Sequence, residues 1–481
     1  MKELFKNTLI YSIARILPGI TGFLLLPIYT SYLNPSEYGK VQSMQVLGAF
    51  LIIIFSLASE RSIFRLYYDY DTEQKKKQFI GNVSMMVITT TVVVGALIFL
   101  LKDYVKLIFN SIEFNPYYVF IILYSMFMSL TFIPLNLFQV KGKAARFSIY
   151  SISGFLLSTI LILYFVIYEL EGAIGILKGQ FIAAAIMLVL YSIEIVKNSD
   201  FTFNKKIIKN VLFFSIPFIP VLLSSWLMNM SNRVFLDYFI DEDSLALFEI
   251  GVYSFAYKIA SLSGIVMGSI YTAYNPIFYK EANNTNQIEA KNKLEKIKYF
   301  YGLIALFICF SAAFVSRNLV KLFFTDEYAS SIHLIPVISL CFFFTQIVGL
   351  YNLMLYQEKK TKSVMVNLII SSILTIGFNI LLIPVYFSLG AAFGTLLGVL
   401  CNVLLQYRSA KKAYYVNFKF KKIIYYLLLL FSILIIDIVF INYSGYISLI
   451  IKLLFIVGLL LFILFRYNNN SFRIKKDIIS L

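Results

Sequence analysis

Apolar runs of the length a helix needs to cross the hydrocarbon core, about 20 residues, recur along the whole chain. They predict fourteen spans: 8–33, 41–59, 79–101, 116–138, 148–168, 173–195, 210–231, 250–272, 297–315, 333–355, 366–387, 389–407, 423–443 and 447–465. The first is the least regular. Arg15 sits inside it, and Pro18-Gly19, Gly22 and Pro27 interrupt it before the tract LPIYTSYLNPSEYG (26–39), where Asn34-Pro35-Ser36 reads as a turn at a membrane surface. An arginine at the bilayer centre costs at least ~2.5–3.5 kcal/mol on insertion scales, and broken helices persist at that depth only where protein or water satisfies the backbone. Arg15 is therefore expected to face a wet internal cavity.

Three ordered matches point to an internal repeat. NTLIYSI (7–13) answers NVLFFSI (210–216), EYG (37–39) answers EIG (249–251), and GAIGILKG (172–179) answers GAAFGTLLG (390–398). The offsets of 203, 212 and 218 to 219 are nearly constant. They imply two six-helix halves in the same orientation, 1–205 and 206–407, followed by two further helices and a tail over 408–481. The basic stretch 197–210 would connect the halves.

Composition agrees with an all-α integral membrane protein. Of 481 residues 60% are hydrophobic and 14% charged, with mean hydropathy +0.81. Such a chain has too few polar side chains to cover a soluble surface of this size. The net charge of +17 raises nucleic acid as a partner, but the placement of the charges argues otherwise. Alternate loops hold 32 lysines and arginines on one side, Lys298 at the inner end of span nine being read as one of these loop charges, and 6 on the other, leaving Arg15, Lys178, Lys258 and Lys452 deeper inside spans. By the positive-inside rule both termini are cytoplasmic, and the positive charge is mainly a topology signal. Cys309, Cys341 and Cys401 lie in apolar runs without metal or disulfide spacing, so they read as small buried hydrophobes. No cleavable signal is expected, because the first run is too long for an h-region and lacks a small-residue cleavage site.

The broken first helix leading into LPIYTSYLNPSEYG resembles oligosaccharide flippases of the multidrug/oligosaccharidyl-lipid/polysaccharide (MOP) exporter superfamily. So do FFSIPFIPVLLSSWLMNMSNRVFLDYF (213–239) and GVYSFAYKIA (251–260), which open the second half. The resemblance covers the whole chain and is to Wzx-type members. It implies a MATE-like arrangement of two lobes around a central cavity opened alternately to either side. It also implies a place in the bacterial cytoplasmic membrane. The implied cargo is an undecaprenyl-pyrophosphate-linked oligosaccharide, carried outward for surface polysaccharide such as O-antigen. Membrane lipids and polysaccharide polymerase machinery are the implied partners, and no cofactor is. Asn232 stands where family members often carry an acidic residue.

Five basic residues are candidates for an anionic substrate. Arg15 lies roughly 12 Å deep at ~1.5 Å per residue, with Gly19 and Gly22 on its own face. A guanidinium so placed suits bidentate pyrophosphate binding; the alternative is a pair with a carboxylate or with carbonyls freed by Pro18. Lys258 sits at similar depth in span eight from the outer side, with Ser254 and Ser261 on its face, or else it snorkels to the interface. Arg233, placed just beyond span seven, is a substrate contact or a solvated rim charge against Asp237. Arg61, beside Glu60 at the inner end of span two, is a first contact for a headgroup or half of a neighbour pair. Lys178, in the glycine-rich tract, binds or simply points outward. Asp437 and Lys452 reach nearly the same depth in a tight hairpin and read as a pair that locks the last two helices. His333, the only histidine, is read as interfacial, with a proton relay as the alternative.

Enzymatic chemistry finds no footing. There is no Ser/His/Asp set, no glycine-rich phosphate loop and no long soluble domain, as a membrane polymerase or ligase would need. The acidic stretch 232–249 lacks calcium-loop spacing and reads as a solvated rim loop. Two other transporter readings stay open, a lipid II flippase and a cation-coupled drug exporter. The latter calls for intramembrane carboxylates, which are scarce in spans one, two, seven and eight.

Overall fold

Asn34 and Pro35 show how the elements are set. The Asn34 side chain accepts the Glu37 N–H at 2.8 Å, and Pro35 occupies the first turn, where no donor is needed. The expected surface turn is thus the N-cap of a helix. Asn34→Ala is expected to cost about 1 kcal/mol, read as a lower melting temperature in detergent. Thr72, Asn204 and Asn286 cap later helices in the same way.

A computed structural model describes residues 22–414, 416, 420–440 and 445–469. In chain order the helices are α1 (Leu26–Tyr32), α2 (Pro35–Ser56), α3 (Glu60–Leu66), α4 (Glu73–Leu100), α5 (Lys102–Lys106), α6 (Val119–Val140), α7 (Ala144–Leu163) and α8 (Gly172–Asn198). There follow α9 (Lys205–Ser215), α10 (Ile219–Phe239), α11 (Asp243–Ala282), α12 (Gln287–Phe323), α13 (Leu334–Gln357), α14 (Thr361–Lys411), α15 (Phe420–Phe440) and α16 (Tyr446–Asn469). Among the described residues eleven helices are long and apolar enough to cross a membrane. They match expected spans two to twelve and fourteen, with eleven and twelve fused in α14. That helix breaks at Phe387 (φ 47°, ψ −125°), where the sequence pattern divides the two spans. The protein is an all-α, multi-pass membrane protein. Most of span one lies outside the described residues.

Two compact units are present. One comprises the chain up to Phe255 with Lys359–Ser409, the other Ala256–Glu358 with the chain from Ala410 onward. These boundaries follow packing and differ from the boundary near 205 that the sequence matches lead one to expect. In the first unit α6 is central, against α2, α4 and α8, while α7 covers α8 and α10 lies on α2. Its core joins Met44, Leu47, Phe55, Phe109, Tyr118 and Ile122. In the second unit α12 packs against α13, α15 and α16. Cys309 and Cys341 are buried there as free thiols, and Cys401 in the first unit is partly buried and also free.

Candidate functional site

Within the first unit, the ends of α2 and α11 cross with backbone in contact. A Cβ on Gly39 would overlap the Leu247 carbonyl oxygen, and one on Gly251 would overlap that of Pro35. Pro35 and Leu247, like Gly39 and Gly251, are 212 residues apart, so the contact is reciprocal. The neighbouring glutamates also act alike. Glu37 accepts the Ala173 N–H at 3.0 Å and binds Lys40 at 2.6 Å, while Glu249 accepts the Ser388 N–H at 3.2 Å. Each carboxylate thus serves a backbone N–H at the start of a later helical segment, where free donors and the helix dipole favour negative charge. The EYG/EIG match has a counterpart in these contacts.

Next to this crossing lies a buried polar network. Asn232 donates to the Tyr253 hydroxyl at 2.6 Å and to Thr395 at 3.2 Å. Arg233 donates to the Asn232 side-chain oxygen at 3.0 Å, to the Asn229 carbonyl at 2.8 Å and to Ser254 at 3.3 Å, with its guanidinium 4.8 Å from the Tyr253 ring centroid. Arg233 is only 4% exposed, so it is not a solvated rim charge. The reason is that α10 continues to Phe239: the polar run Ser231-Asn232-Arg233 lowers hydropathy without ending the helix. Asp237, the expected rim partner, instead accepts the Ser111 N–H at 3.5 Å. The expected loop 232–249 shrinks to Ile240–Glu242, because α11 starts at Asp243. Tyr253 and Thr395 escaped the sequence reading; Thr395 has no signal there, since its partner is 163 residues away.

The other candidates differ in how free they are. Arg15 lies outside the described residues. Arg61 is exposed on α3, 6.0 Å from the Phe218 ring centroid. It makes no ion pair with Glu60 among the described residues, and burial pushes the half-buried Glu60 carboxyl above its usual range. Lys178 is bonded to Glu171 at 2.6 Å and lies 4.3 Å from the Phe165 ring centroid; the sequence reading missed Glu171, seven residues earlier. Lys258 is half-buried on α11. Among the described residues no carboxylate lies within ion-pair distance of its ammonium, and Ser261 donates to its backbone carbonyl at 2.7 Å.

In the second unit Lys452 and Asp437 are bonded at 2.6 Å and buried, the pair expected to lock the last two helices. Lys298, taken from sequence for a loop charge, is buried inside α12, donating to the Val416 carbonyl at 2.9 Å and lying 4.7 Å from the Tyr351 ring centroid. His333 is exposed at the start of α13. Among the described residues no group of three or more metal-ligating side chains occurs.

Residues 4–282 match the family described as polysaccharide biosynthesis protein, and residues 217–381 match the MatE family. Protein 1 of the Lsg locus of Haemophilus influenzae is 24% identical over 285 residues, which span 58% of this chain and 66% of that protein. Among solved structures, the chain is similar to the lipid II flippase MurJ in an inward closed conformation, with TM-score 0.76 and 16% identity over 96% of this chain and 99% of that one. It is also similar to an inward-facing multidrug resistance MATE family transporter of the MOP superfamily, with TM-score 0.61 and 13% identity over 83% and 95%. At these identities the structures share the fold alone. The family match spans more than half of the sequence, so the chain belongs to the polysaccharide biosynthesis protein family.

Proposed function

We propose that the protein carries an undecaprenyl-pyrophosphate-linked oligosaccharide across the bacterial cytoplasmic membrane by alternating access, for surface polysaccharide assembly. The fold it shares with the lipid II flippase and MATE transporters, together with its family match, supports a transporter over an enzyme. The observation that carries the finer reading is Lys258. An ammonium in an apolar helix without a carboxylate partner is costly unless it meets water or an anion. A lipid-linked pyrophosphate supplies that anion. Arg15 keeps its place on sequence grounds, and Arg61, exposed and unpaired with Glu60, suits first contact with a headgroup. Arg233, hydrogen-bonded to neutral groups in the polar network, suits a later one. Lys178, already held by Glu171, is the weakest of the five. Several moderate sites suit a moving anion better than one tight site. The polyprenyl tail would stay in lipid while the glycan crosses between lobes 1–205 and 206–407.

Lys258→Ala, in cells lacking their own flippase, is expected to reduce surface glycan at least about tenfold, the worth of one charge-assisted hydrogen bond of about 1.5–3 kcal/mol, at unchanged protein level. Lys258→Arg should retain part of the activity. Full export by Lys258→Ala and Arg15→Ala, each stably expressed, would remove the anion-carrier reading. The MatE match supports a second reading, efflux of organic cations. Against it, Asp437 is taken by Lys452 and Glu249 by the Ser388 backbone. Dye efflux assays distinguish that reading, and rescue of cells depleted of lipid II flippase activity tests peptidoglycan precursor as cargo.

A further inference from the structure

Helix α10 has 21 residues and is about 31 Å long at ~1.5 Å per residue, which alone crosses a hydrocarbon core of about 30 Å. Helix α9 precedes it, joined through the turn Ile216-Pro217-Phe218. It is thereby left at the membrane surface, on the side that the positive-inside rule assigns to the cytoplasm. The chain leading into α9 is fixed. The Asn82 side chain of α4 donates to the Thr202 carbonyl at 2.9 Å and accepts the Asn204 N–H at 2.8 Å, and a Cβ on Gly81 would overlap the Asp200 carbonyl oxygen. Asn204 in turn caps α9, accepting the Lys206 N–H at 3.0 Å.

Two faces of α9 have opposite character. Ile207, Val211 and Ser215 are buried, the first two in one cluster with Ile63 of α3 and Phe79 and Val83 of α4. The other side carries Lys205, Lys206, Lys209 and Phe213, which fall within about 100° of one another at 3.6 residues per turn. Phe213 is 84% exposed, and Phe201 and Phe203 just before the helix are exposed as well. Arg65, Lys76, Arg146 and Lys293, expected from sequence on the same side, each meet a carboxylate. Lys205, Lys206 and Lys209 meet none among the described residues. Asp200, the only carboxylate between Glu194 and Asp237, accepts the hydroxyl and N–H of Thr202. Topology alone asks for lysines here, but not for phenylalanines exposed among them. The boundary between headgroups and acyl chains accepts both.

We infer that residues 201–213 form a docking surface for anionic phospholipid of the adjoining leaflet. Lys205, Lys206 and Lys209 meet the headgroup phosphates, while Phe201, Phe203 and Phe213 enter the acyl boundary. A zwitterionic headgroup also carries phosphate, but its own cation cancels the attraction of three unneutralised lysines, so net negative charge is what the surface selects. Because Asn82 fixes the incoming chain to α4, lipid bound here holds α9 at the leaflet without a flexible tether. The ligand is the leaflet itself, so the inference stands apart from the cargo proposed above.

The test uses the full chain purified in dodecyl maltoside, with Cys309, Cys341 and Cys401 replaced by serine. Asn210→Cys, at an exposed position beside the lysines, is labelled with bimane, and gel filtration confirms the folding of each variant. Dioctanoyl phosphatidylglycerol is expected to shift the emission to the blue, saturably, with a Kd at least about tenfold below that of dioctanoyl phosphatidylcholine. Inorganic phosphate should leave the emission unchanged. Lys205→Gln with Lys206→Gln and Lys209→Gln should abolish the preference. Lys209→Gln alone should weaken phosphatidylglycerol binding about fivefold, the worth of one lysine near an anionic surface. Lys362→Gln with Arg408→Gln and Lys411→Gln removes as much charge from the same expected side and should change nothing. The docking surface is overturned if both lipids bind alike, if phosphate alone reproduces the shift, or if the second triple variant loses as much as the first.

Discussion

Gly251→Ala is expected to impair transport at least about tenfold while the protein still inserts and folds. The ideal Cβ would overlap the Pro35 carbonyl oxygen and stand 2.7 Å from its carbon. Those are backbone atoms, which cannot rotate away, so α2 and α11 must separate. Overpacking of this kind costs typically 1–3 kcal/mol, and 1.4 kcal/mol is a tenfold change in a two-state population. Gly39→Ala should act alike, since its Cβ would stand 2.9 Å from the Leu247 carbonyl carbon. If the carrier works by the alternating access proposed above, the closed crossing of α2 and α11 would be one of its two end states, and losing it would trap the carrier open on that side.

Trp226 gives an optical readout independent of export, being the only tryptophan in the chain. Its indole donates to the Val46 carbonyl of α2 at 3.0 Å and lies 5.2 Å from the Phe50 ring. Displacement of α2 should shift its emission to the red. Gly458→Ala, at a position with open space around it, is the control and should change neither signal. Normal export and unshifted emission in Gly251→Ala would mean that the crossing is incidental.

The spans were legible because the bilayer leaves a chain few choices. A run of apolar residues there must be helical, since nothing else satisfies its backbone. That constraint sufficed even to divide α14 at Phe387. Asp437 and Lys452 were legible for another reason: a short hairpin fixes which residues share a depth. Arg233 was misplaced because hydropathy registers Ser231, Asn232 and Arg233 as an exit from the membrane. Their partners, Tyr253, Ser254 and Thr395, lie on helices 21 to 163 residues away. Lys298 failed likewise, its carbonyl partner being 118 residues distant. Glu171 precedes the first residue of α8, so the helical spacing that relates residues within the span does not point from Lys178 to it. Local signals therefore fix elements and depth, whereas the pairing of buried charges is a property of tertiary contacts.

Lys452→Leu is expected to destabilise the protein by about 3–5 kcal/mol, the usual cost of breaking one side of a buried ion pair. The two side chains are 5% and 4% exposed, so neither charge can turn to water. Lys452 also donates to the Phe314 carbonyl of α12 at 3.1 Å, and Arg317 of the same helix donates to the Asp437 backbone carbonyl at 3.2 Å. One cluster therefore fastens both α15 and α16 to α12. Asp437→Leu should cost a similar amount, whereas Asp437→Leu with Lys452→Leu should recover most of the loss, because a buried pair roughly balances its own desolvation. A double-mutant cycle on detergent melting temperatures isolates the coupling. Single variants within about 1 kcal/mol of the parent, the range of exposed pairs, would show that water reaches the pair. Export per folded molecule should stay near the parental level in all three, because a pair that neutralises itself has no charge left for a substrate.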